Sequence, residues 1–255
     1  FDKKIFKIYL QIYDLFINDI NYGKFKLYKN SSLIDIVEII SKPSNVFYKF
    51  TVIDGWQSYQ LENYMKSNFD TLIKIDYQDI LADTYKYKST DTLDKIIRLM
   101  HKNKNQLFNN YDSNKLLNEY SINDIMTIAS LVEREGINDN DKRLISSVIF
   151  NRLNKNMKLQ IDASTIFSIT RGKYKFARKL KHNDLRINDI YNTYFIFGLP
   201  PNPISYVGRK TIEIVLENYK SEFLYYFFNN ELNKHIFSKS YQEHINKLNK
   251  YRLKN

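Results

Sequence analysis

The sequence contains no cysteine, which excludes disulfide bonds and any site that depends on a thiolate. A chain without thiols fits an oxidising compartment such as the periplasm, but many cytosolic proteins also lack cysteine. Long apolar runs are absent too, since no stretch reaches the roughly 18 residues that a transmembrane helix needs. There is no signal peptide, and the chain starts at Phe1 rather than at Met. We therefore expect a processed or truncated product.

Glycine and proline are scarce, at six and four residues. The sequence has no phosphate-binding glycine loop, no internal repeat and no low-complexity linker. Three of the four prolines fall within 200–203, in a stretch that is rich in Tyr and Asn. Because proline fixes φ, we expect this loop to be rigid. Such a loop suits a carbohydrate or peptide surface, and it is equally compatible with a plain structural corner.

Positive charge and aromatic residues, in contrast, are plentiful. The 39 basic and 28 acidic residues give a net charge of +11, which favours an anionic partner such as nucleic acid, a membrane surface or an acidic polymer. The lysines are spread along the chain, which is more typical of a solvated surface. The charge and the 21 tyrosines motivate a nucleic-acid binder as a rival, but no recognised nucleic-acid motif supports it. The length of 255 residues suffices for one large domain or two unequal ones.

Hydrophobic periodicity predicts a mixture of helices and short strands. Helices are expected at 2–19, 33–40, 58–68, 91–110, 121–136, 141–154, 210–218 and 242–253. Strands are expected at 24–28, 46–53, 80–87, 223–228 and 235–238, of which 223–228 should be buried and paired with 235–238 in a hairpin. The strand, helix and strand between residues 24 and 53 form a candidate separate module.

The stretch SINDIMTIASLVEREG at 121–136 predicts a helix with a special C-terminal end. Ser121 and Asp124 resemble a capping box at its start. Gly136 is expected to end the helix in the left-handed conformation. The helix has one apolar face, which is formed by Ile125, Ile128, Ala129 and Val132.

Two glutamates occupy the last turn of this helix. At about 100° per residue, Glu135 lies about 20° from Ile128 and within the apolar face, whereas Glu133 lies about 140° away, toward solvent. Burial and the negative end of the helix dipole both favour the protonated form of Glu135, which suits a general acid. The alternative is that both are ordinary surface glutamates, paired with Arg134 or Arg143.

Other polar residues occur where the pattern predicts core. Asn151 and Arg152 share or border the apolar face of the helix at 141–154, so they either cap neighbouring backbone or belong to a site. His235 and His244 lack the third ligand and the fixed spacing that would predict a metal site. Four polar residues are crowded into the partly apolar segment 158–170: Gln160, Asp162, Ser164 and Thr165.

The heptapeptide ASLVERE at 129–135 resembles the A-S-I-V-E-K-E signature of the YceG-like endolytic murein transglycosylases. The family's further blocks are matched in order by DTY at 83–85, SVIFNRL at 147–153, LQID at 159–162, YNTY at 191–194, GLPPNPI at 198–204, and HIFS at 235–238 followed by His244. The match runs from about Gly23 to the C-terminus. The departures from the family pattern leave the glutamate signature untouched, and they are Ala82, Ala163, Ser164, Val207 and Ile245.

The resemblance implies an α+β fold, with an amphipathic N-terminal helix at 1–19, a small LysM-like domain at 20–73 and a mixed α/β catalytic domain at 74–255. It implies cleavage inside peptidoglycan glycan strands, between N-acetylmuramic acid and N-acetylglucosamine, with formation of 1,6-anhydro ends. It implies no metal and no cofactor. An alternative function is a non-catalytic peptidoglycan-binding scaffold of cell-wall synthesis.

By the same resemblance, Glu135 is the catalytic residue, acting first as general acid and then as general base. Glu133 is either a supporting residue or a surface residue, and we favour the surface. The candidates for binding substrate and stabilising the transition state are Asn151, Gln160, Asp162, Ser164, Asn192 and Tyr194.

The resemblance also carries an expected location and expected partners. We expect the native product to continue upstream into one apolar helix of about 20 residues that anchors it in the inner membrane, with the catalytic domain facing the periplasm. The segment 2–19 is not that anchor, because several charged residues interrupt it. The expected partners are peptidoglycan glycan strands and cell-wall synthases, and no nucleic acid.

Overall fold

The computed structural model describes residues 2–16, 20–69 and 71–252. Within these residues, helices alternate with two small antiparallel sheets of two strands each, which confirms the α+β class. The chain divides into two compact units, one formed by 1–51 with 84–99 and the other by 52–83 with 100–255. The predicted domain boundaries at 19/20 and 73/74, and the LysM-like assignment, stay predictions.

The first unit contains two helices, one sheet and the start of a third helix. Ser32 and Asp35 form a capping box at the start of the helix Leu33–Ile40. The strands β1 and β2 pair antiparallel, with Tyr48 opposite Tyr87. The bounds are α1 Lys3–Phe16, α2 Leu33–Ile40, β1 Tyr48–Thr51, β2 Thr84–Tyr87 and α4 Leu93–Asn109, the last of which continues past residue 99. Residues 17–19 of the first predicted helix lie outside the described residues.

The strand predicted at 24–28 is not formed, so the strand–helix–strand module is wrong. The carbonyl of Lys24 accepts a hydrogen bond from the Ser44 hydroxyl, and the Lys26 amide donates to the Asn45 side chain at 2.8 Å. Because side chains satisfy this backbone, it does not pair in a ladder. The partner of β1 is instead β2, and each of these strands is only four residues long.

The second unit contains the candidate site. Its core is formed where α6 packs against α7, α8 and α9. The bounds are α3 Ser58–Phe69, α5 Leu116–Glu119, α6 Ile122–Glu135, α7 Asp139–Asn154, α8 Asp162–Thr170, α9 Arg209–Leu216, β3 Tyr225–Asn229, β4 Lys234–Ser238 and α10 Tyr241–Arg252. The described part of the chain includes no helix with the length and apolar character needed to cross a bilayer.

The helix α6 is buried on all sides through its middle. Ser121 and Asp124 form the predicted capping box at its start. Every residue from Ile125 to Val132 is buried, including Thr127 and Ser130. Both hydroxyls are satisfied, because each donates a 2.8 Å hydrogen bond to a carbonyl within the helix. The helix therefore has a wider buried surface than the single predicted stripe.

The end of α6 differs from the prediction. Gly136 has φ −79° and ψ 136°, so it is extended rather than left-handed. A Cβ atom at Gly136 would lie 2.4 Å from Cγ of Lys142. Glycine is therefore required here by the close approach of α7 rather than by its freedom at positive φ.

The C-terminal hairpin is formed as predicted. β3 and β4 pair antiparallel, with Tyr226 opposite Phe237 and Phe228 opposite His235, and both strands contact α10. The expectation of a fully buried first strand is wrong, because β3 is largely half-buried and Phe228 is exposed. A two-stranded sheet lacks the neighbours that would cover both of its faces.

Candidate active site

Glu135 ends α6 with its carboxyl turned into the second unit. Oε2 lies 3.4 Å from the hydroxyl of Tyr226 on β3, which donates to it. The backbone N–H of Ala163, in the first turn of α8, also donates to this carboxyl. Burial raises the pKa of Glu135, and the negative charge of Asp162 raises it further, whereas His235 and the two hydrogen bonds oppose the shift. The carboxyl therefore holds its proton to a higher pH than an exposed glutamate.

Asp162 and Tyr194 lie beside Glu135. Asp162 is the first residue of α8, and its exposed carboxylate accepts a hydrogen bond from the Tyr194 hydroxyl at 2.7 Å. Burial and the bond to Asp162 raise the pKa of Tyr194, and the charge of Glu135 adds to that shift. Tyr194 is therefore a neutral hydrogen-bond donor at any physiological pH. The sequence predicted both residues, and the structure brings them together with Glu135.

Tyr226 is a contact of Glu135 that the sequence analysis missed. Burial, foremost, and the nearby carboxyl of Glu135 hold the pKa of Tyr226 well above its ordinary value. The residue belongs to the aromatic run YYFF, in which apolar pattern alone indicates strand and core. Only the packing of β3 against the end of α6 identifies which of these rings faces a carboxyl.

A buried hydrogen bond between a histidine and an aspartate lies beside Tyr226. His235 Nδ1 on β4 lies 2.8 Å from Oδ2 of Asp141 in the first turn of α7. The same Asp141 oxygen accepts the backbone N–H of Ile137 at 3.1 Å. The His235 ring packs edge-on against Tyr226, with the ring centroids 5.3 Å apart. The partner of His235 lies 94 positions away in the sequence, so no local spacing could have indicated it.

Arg152 stabilises the loop that carries Gln160 by binding its backbone carbonyls. Its guanidinium donates to the carbonyls of Leu159 at 2.7 Å and Leu224 at 2.6 Å, and lies 3.5 Å from Oε1 of Gln160. It also stacks 5.2 Å from the ring centre of Tyr225, while burial lowers its pKa. Of the two interpretations given for Arg152, backbone capping is the one that its contacts show. Gln160 itself is exposed and has φ +52°.

Three other predicted substrate residues have their polar atoms engaged inside the protein. Asn151 donates to two carbonyls in 221–223, at 2.8 and 2.9 Å. The buried Ser164 hydroxyl donates to the N-cap carbonyl of α8 at 2.7 Å. The buried Asn192 amide donates to two carbonyls in 185–187. Of the other three predicted residues, Gln160 and Asp162 are exposed, and Tyr194 is half-buried with its hydroxyl on Asp162.

Glu133 is not the surface residue that the helical wheel favours. Its side chain is 6% exposed, forms an ion pair of 2.6 Å with Lys142 on α7 and accepts a hydrogen bond from Thr211 on α9. Arg134 and Arg143, the partners proposed from the sequence, bind elsewhere. The wheel failed because it assumes one buried side, whereas α6 is covered by both α7 and α9 at this turn.

The fold and the site together define an α+β protein with a carboxyl of raised pKa at the end of a buried helix, bordered by a carboxylate and a tyrosine. The chain belongs to the YceG-like family, whose sequence profile matches residues 2–250. This confirms the resemblance that the ASLVERE motif indicates.

Individual relatives agree with the family. The chain is 36% identical over 171 residues to a Bacillus subtilis protein named endolytic murein transglycosylase, covering 66% of this chain and 46% of the relative. A Streptococcus pneumoniae protein of the same name is 29% identical over 198 residues, covering 75% and 32%. The chain thus spans less than half the length of these curated relatives. The crystal structure of a YceG-like protein from Listeria monocytogenes superposes with a TM-score of 0.68 at 27% identity, over 96% of this chain and 90% of that one.

Proposed function

We propose that this chain is an endolytic lytic transglycosylase, which cleaves the bond between N-acetylmuramic acid and N-acetylglucosamine inside peptidoglycan glycan strands. The observation that carries the proposal is the placement of Glu135, a carboxyl with a raised pKa beside an open polar surface. A carboxyl that keeps its proton near neutrality is the group that glycosidic bond cleavage requires. The names of the relatives from Bacillus and Streptococcus support the same substrate.

In the proposed mechanism, Glu135 acts twice. As a neutral acid it donates its proton to the glycosidic oxygen while the bond from C1 of the muramyl sugar to that oxygen breaks. As a carboxylate it then removes the proton of the C6 hydroxyl of the same sugar, whose oxygen attacks C1. The attack is intramolecular, so no water is consumed and Glu135 ends protonated as it began. The products are a 1,6-anhydromuramyl end and a free N-acetylglucosamine hydroxyl.

The remaining predicted residues divide into two proposed roles. We place Gln160, Asp162 and Tyr194 against the substrate, because Gln160 and Asp162 are exposed and Tyr194 binds Asp162, whose charge acts on Glu135. The Asp162 carboxylate is suited to stabilise the positive charge that develops at C1. We propose that Asn151, Ser164 and Asn192 do not touch the substrate. They bind backbone carbonyls and so stabilise the loops around the substrate-binding residues.

The rival mechanism is hydrolysis, and Asp162 is the reason to test it. The sequence offered Glu135 without an evident partner, but the structure places the charge of Asp162 close enough to raise the pKa of Glu135. Glycosidases that use water employ such a second carboxylate as nucleophile or base. Mass spectrometry of digested peptidoglycan separates the two mechanisms, because an anhydro end is one water lighter than a reducing end. We expect anhydro ends, and a digest with reducing ends alone would identify a hydrolase.

A zymogram with purified peptidoglycan tests the alternative of a silent scaffold. Clearing by the wild-type protein and none by Glu135→Gln supports the proposed enzyme. Binding without clearing by either protein supports the scaffold.

We further propose that the enzyme acts at the inner membrane, facing the periplasm and beside cell-wall synthases, since its substrate is polymerised there. We also propose that residues 20–73 form a LysM-like domain.

A further inference from the structure

The loop that follows Tyr194 presents two exposed phenylalanines. Phe195 is 42% exposed and Phe197 is 61% exposed, while Ile196 between them is half-buried. Exposed aromatic rings that lie together on a soluble surface are typical of a binding site, because water solvates them poorly. The mechanism described above uses neither ring.

Lys158 contacts both rings and also binds Tyr194 of the candidate active site. Lys158 Nζ lies 5.1 Å from the ring centre of Phe197 and 5.9 Å from that of Phe195. The same ammonium donates to the backbone carbonyl of Tyr194 at 3.2 Å. Tyr194 therefore joins the two sets of residues, because its backbone carbonyl binds Lys158 and its hydroxyl binds Asp162, whose charge acts on Glu135. One of the three ammonium hydrogens is used by Tyr194, which leaves donors for a ligand.

The space next to Phe197 is open. Gly198 has φ +77°, and a Cβ atom built there would have no other atom within 4 Å. Gly198 therefore places no side chain against Phe197, whose ring is exposed. We name the surface formed by Lys158, Phe195 and Phe197 the aromatic platform.

We propose that the aromatic platform is a sugar-binding subsite, in which a sugar of the glycan strand stacks on Phe195 and Phe197 while Lys158 binds a carboxylate of the attached peptide stem. This inference rests on the proposed function, since it names how that substrate is held. A pyranose ring has an apolar C–H face that packs on an aromatic ring, and its polar edge stays hydrated. An enzyme that cuts inside a strand must also hold sugars beyond the two that flank the bond.

A membrane surface is the other occupant that exposed aromatic rings beside a lysine could serve. Two observations favour the glycan. The platform shares Tyr194 with the candidate active site, since Lys158 binds its carbonyl and Asp162 binds its hydroxyl, so a polymer that occupies the site would reach the rings. Lys158 is half-buried and turned toward Tyr194, whereas a lysine that binds lipid headgroups extends away from the protein.

The first experiment measures binding to purified cell-wall sacculi by co-sedimentation, with every protein in a Glu135→Gln background so that no strand is cut. The double variant Phe195→Ala/Phe197→Ala is compared with Tyr219→Ala, which removes an exposed ring elsewhere in the second unit. We expect the double variant to lose at least tenfold in affinity and the control to change less than twofold. Phe197→Tyr should retain binding because it keeps the ring. Unchanged binding by the double variant, with its circular dichroism spectrum intact, overturns the proposal.

A second experiment tests Lys158 with two substrates, intact sacculi and sacculi from which an amidase has removed the stems. Lys158→Gln should weaken binding to intact sacculi severalfold and leave binding to stem-free glycan unchanged. Equal loss on both substrates would contradict the role in stem recognition. Binding to anionic lipid vesicles is measured in parallel. If the double phenylalanine variant loses vesicle binding but keeps sacculus binding, the platform is a membrane surface and the proposal is wrong.

These measurements separate the subsite from the proposed function. Binding is recorded in a cleavage-deficient background, and cleavage is recorded with the wild-type residue at Glu135. If the wild-type protein binds through the platform but cuts nothing, the lyase assignment fails and the subsite is retained. If it cuts strands but the platform variants bind normally, the subsite fails and the lyase assignment is retained.

Discussion

The hydroxyl of Tyr226 donates a hydrogen bond to the carboxyl of Glu135 across 91 residues of sequence. This contact joins the last residue of a buried helix to the second residue of the C-terminal hairpin strand β3. It gives the carboxyl one fixed partner, while the Ala163 amide supplies another. Glu135 is thereby held in one orientation, which general acid catalysis requires.

The first prediction compares the two glutamates of α6. Glu135→Gln should abolish cleavage and leave the fold intact, because glutamine keeps the volume but cannot transfer the proton. Glu133→Gln should retain substantial activity while lowering the free energy of unfolding by about 2 kcal/mol, because Lys142 loses its buried partner. Cleavage of sacculi and urea unfolding of both variants provide the test. If Glu133→Gln were inactive and Glu135→Gln active, the catalytic assignment would be reversed.

The second prediction concerns stability and pH. The pKa of Glu135 is raised above its ordinary 4.5 in the folded protein, so the native state binds more protons than the unfolded state between 4.5 and the raised value. The contribution of Glu135 is therefore most favourable below pH 4.5 and is lost as the pH rises through that window. Glu135→Gln should unfold like the wild type below pH 4.5 and be more stable than the wild type at neutral pH. Urea titrations at a series of pH values measure this, and an unchanged difference across the series would refute the raised pKa.

The stretch 121–136 shows which structural features could be predicted from the sequence and which could not. Its start, its length and the inward direction of Glu135 follow from local capping and from the 3.6-residue period, and the structure confirms them. The environment of Glu133 does not follow, because the ion pair with Lys142 depends on how α7 packs. Gly136 was expected for its conformational freedom, yet the reason for it is the space that Lys142 occupies.

Some residues of the candidate site could likewise be predicted from the sequence, whereas others could not. Asp162 and Tyr194 could be predicted from the motifs that carry them, and their mutual hydrogen bond shows that those motifs meet. Tyr226 and Asp141 could not, since one lies in an aromatic strand and the other in a polar helix start, where such residues are common. Their contacts depend on the packing of elements that are far apart in the sequence, so no local residue spacing predicts them.

The third prediction tests Tyr226 as a positioning residue. The hydrogen bond from Tyr226 opposes the raised pKa of Glu135, so Tyr226→Phe should raise that pKa further. The basic limb of the pH–rate profile should move to higher pH, and the maximal rate should fall about tenfold through lost orientation. Tyr225→Phe is the matched control, because Tyr225 precedes Tyr226 on β3 and its ring stacks on Arg152, a contact that phenylalanine keeps. A loss of rate with an unmoved profile would indicate a purely structural role for Tyr226.

The last prediction concerns Asp162, whose effect has the opposite sign. Its negative charge raises the pKa of Glu135, so Asp162→Asn should lower that pKa and move the basic limb of the pH–rate profile to lower pH. The asparagine can still accept the hydrogen bond from Tyr194, so the loop that carries Tyr194 should stay in place.

If Asp162 only stabilises developing charge, the variant should cut more slowly but still release 1,6-anhydro ends, since the attacking hydroxyl belongs to the substrate. If Asp162 is instead a nucleophile or activates water, the variant should release no product at all. Mass spectrometry of the products at the optimum pH of each protein therefore tests both the pKa coupling and the reaction class, and a variant whose profile does not move would show that the two carboxyls titrate independently.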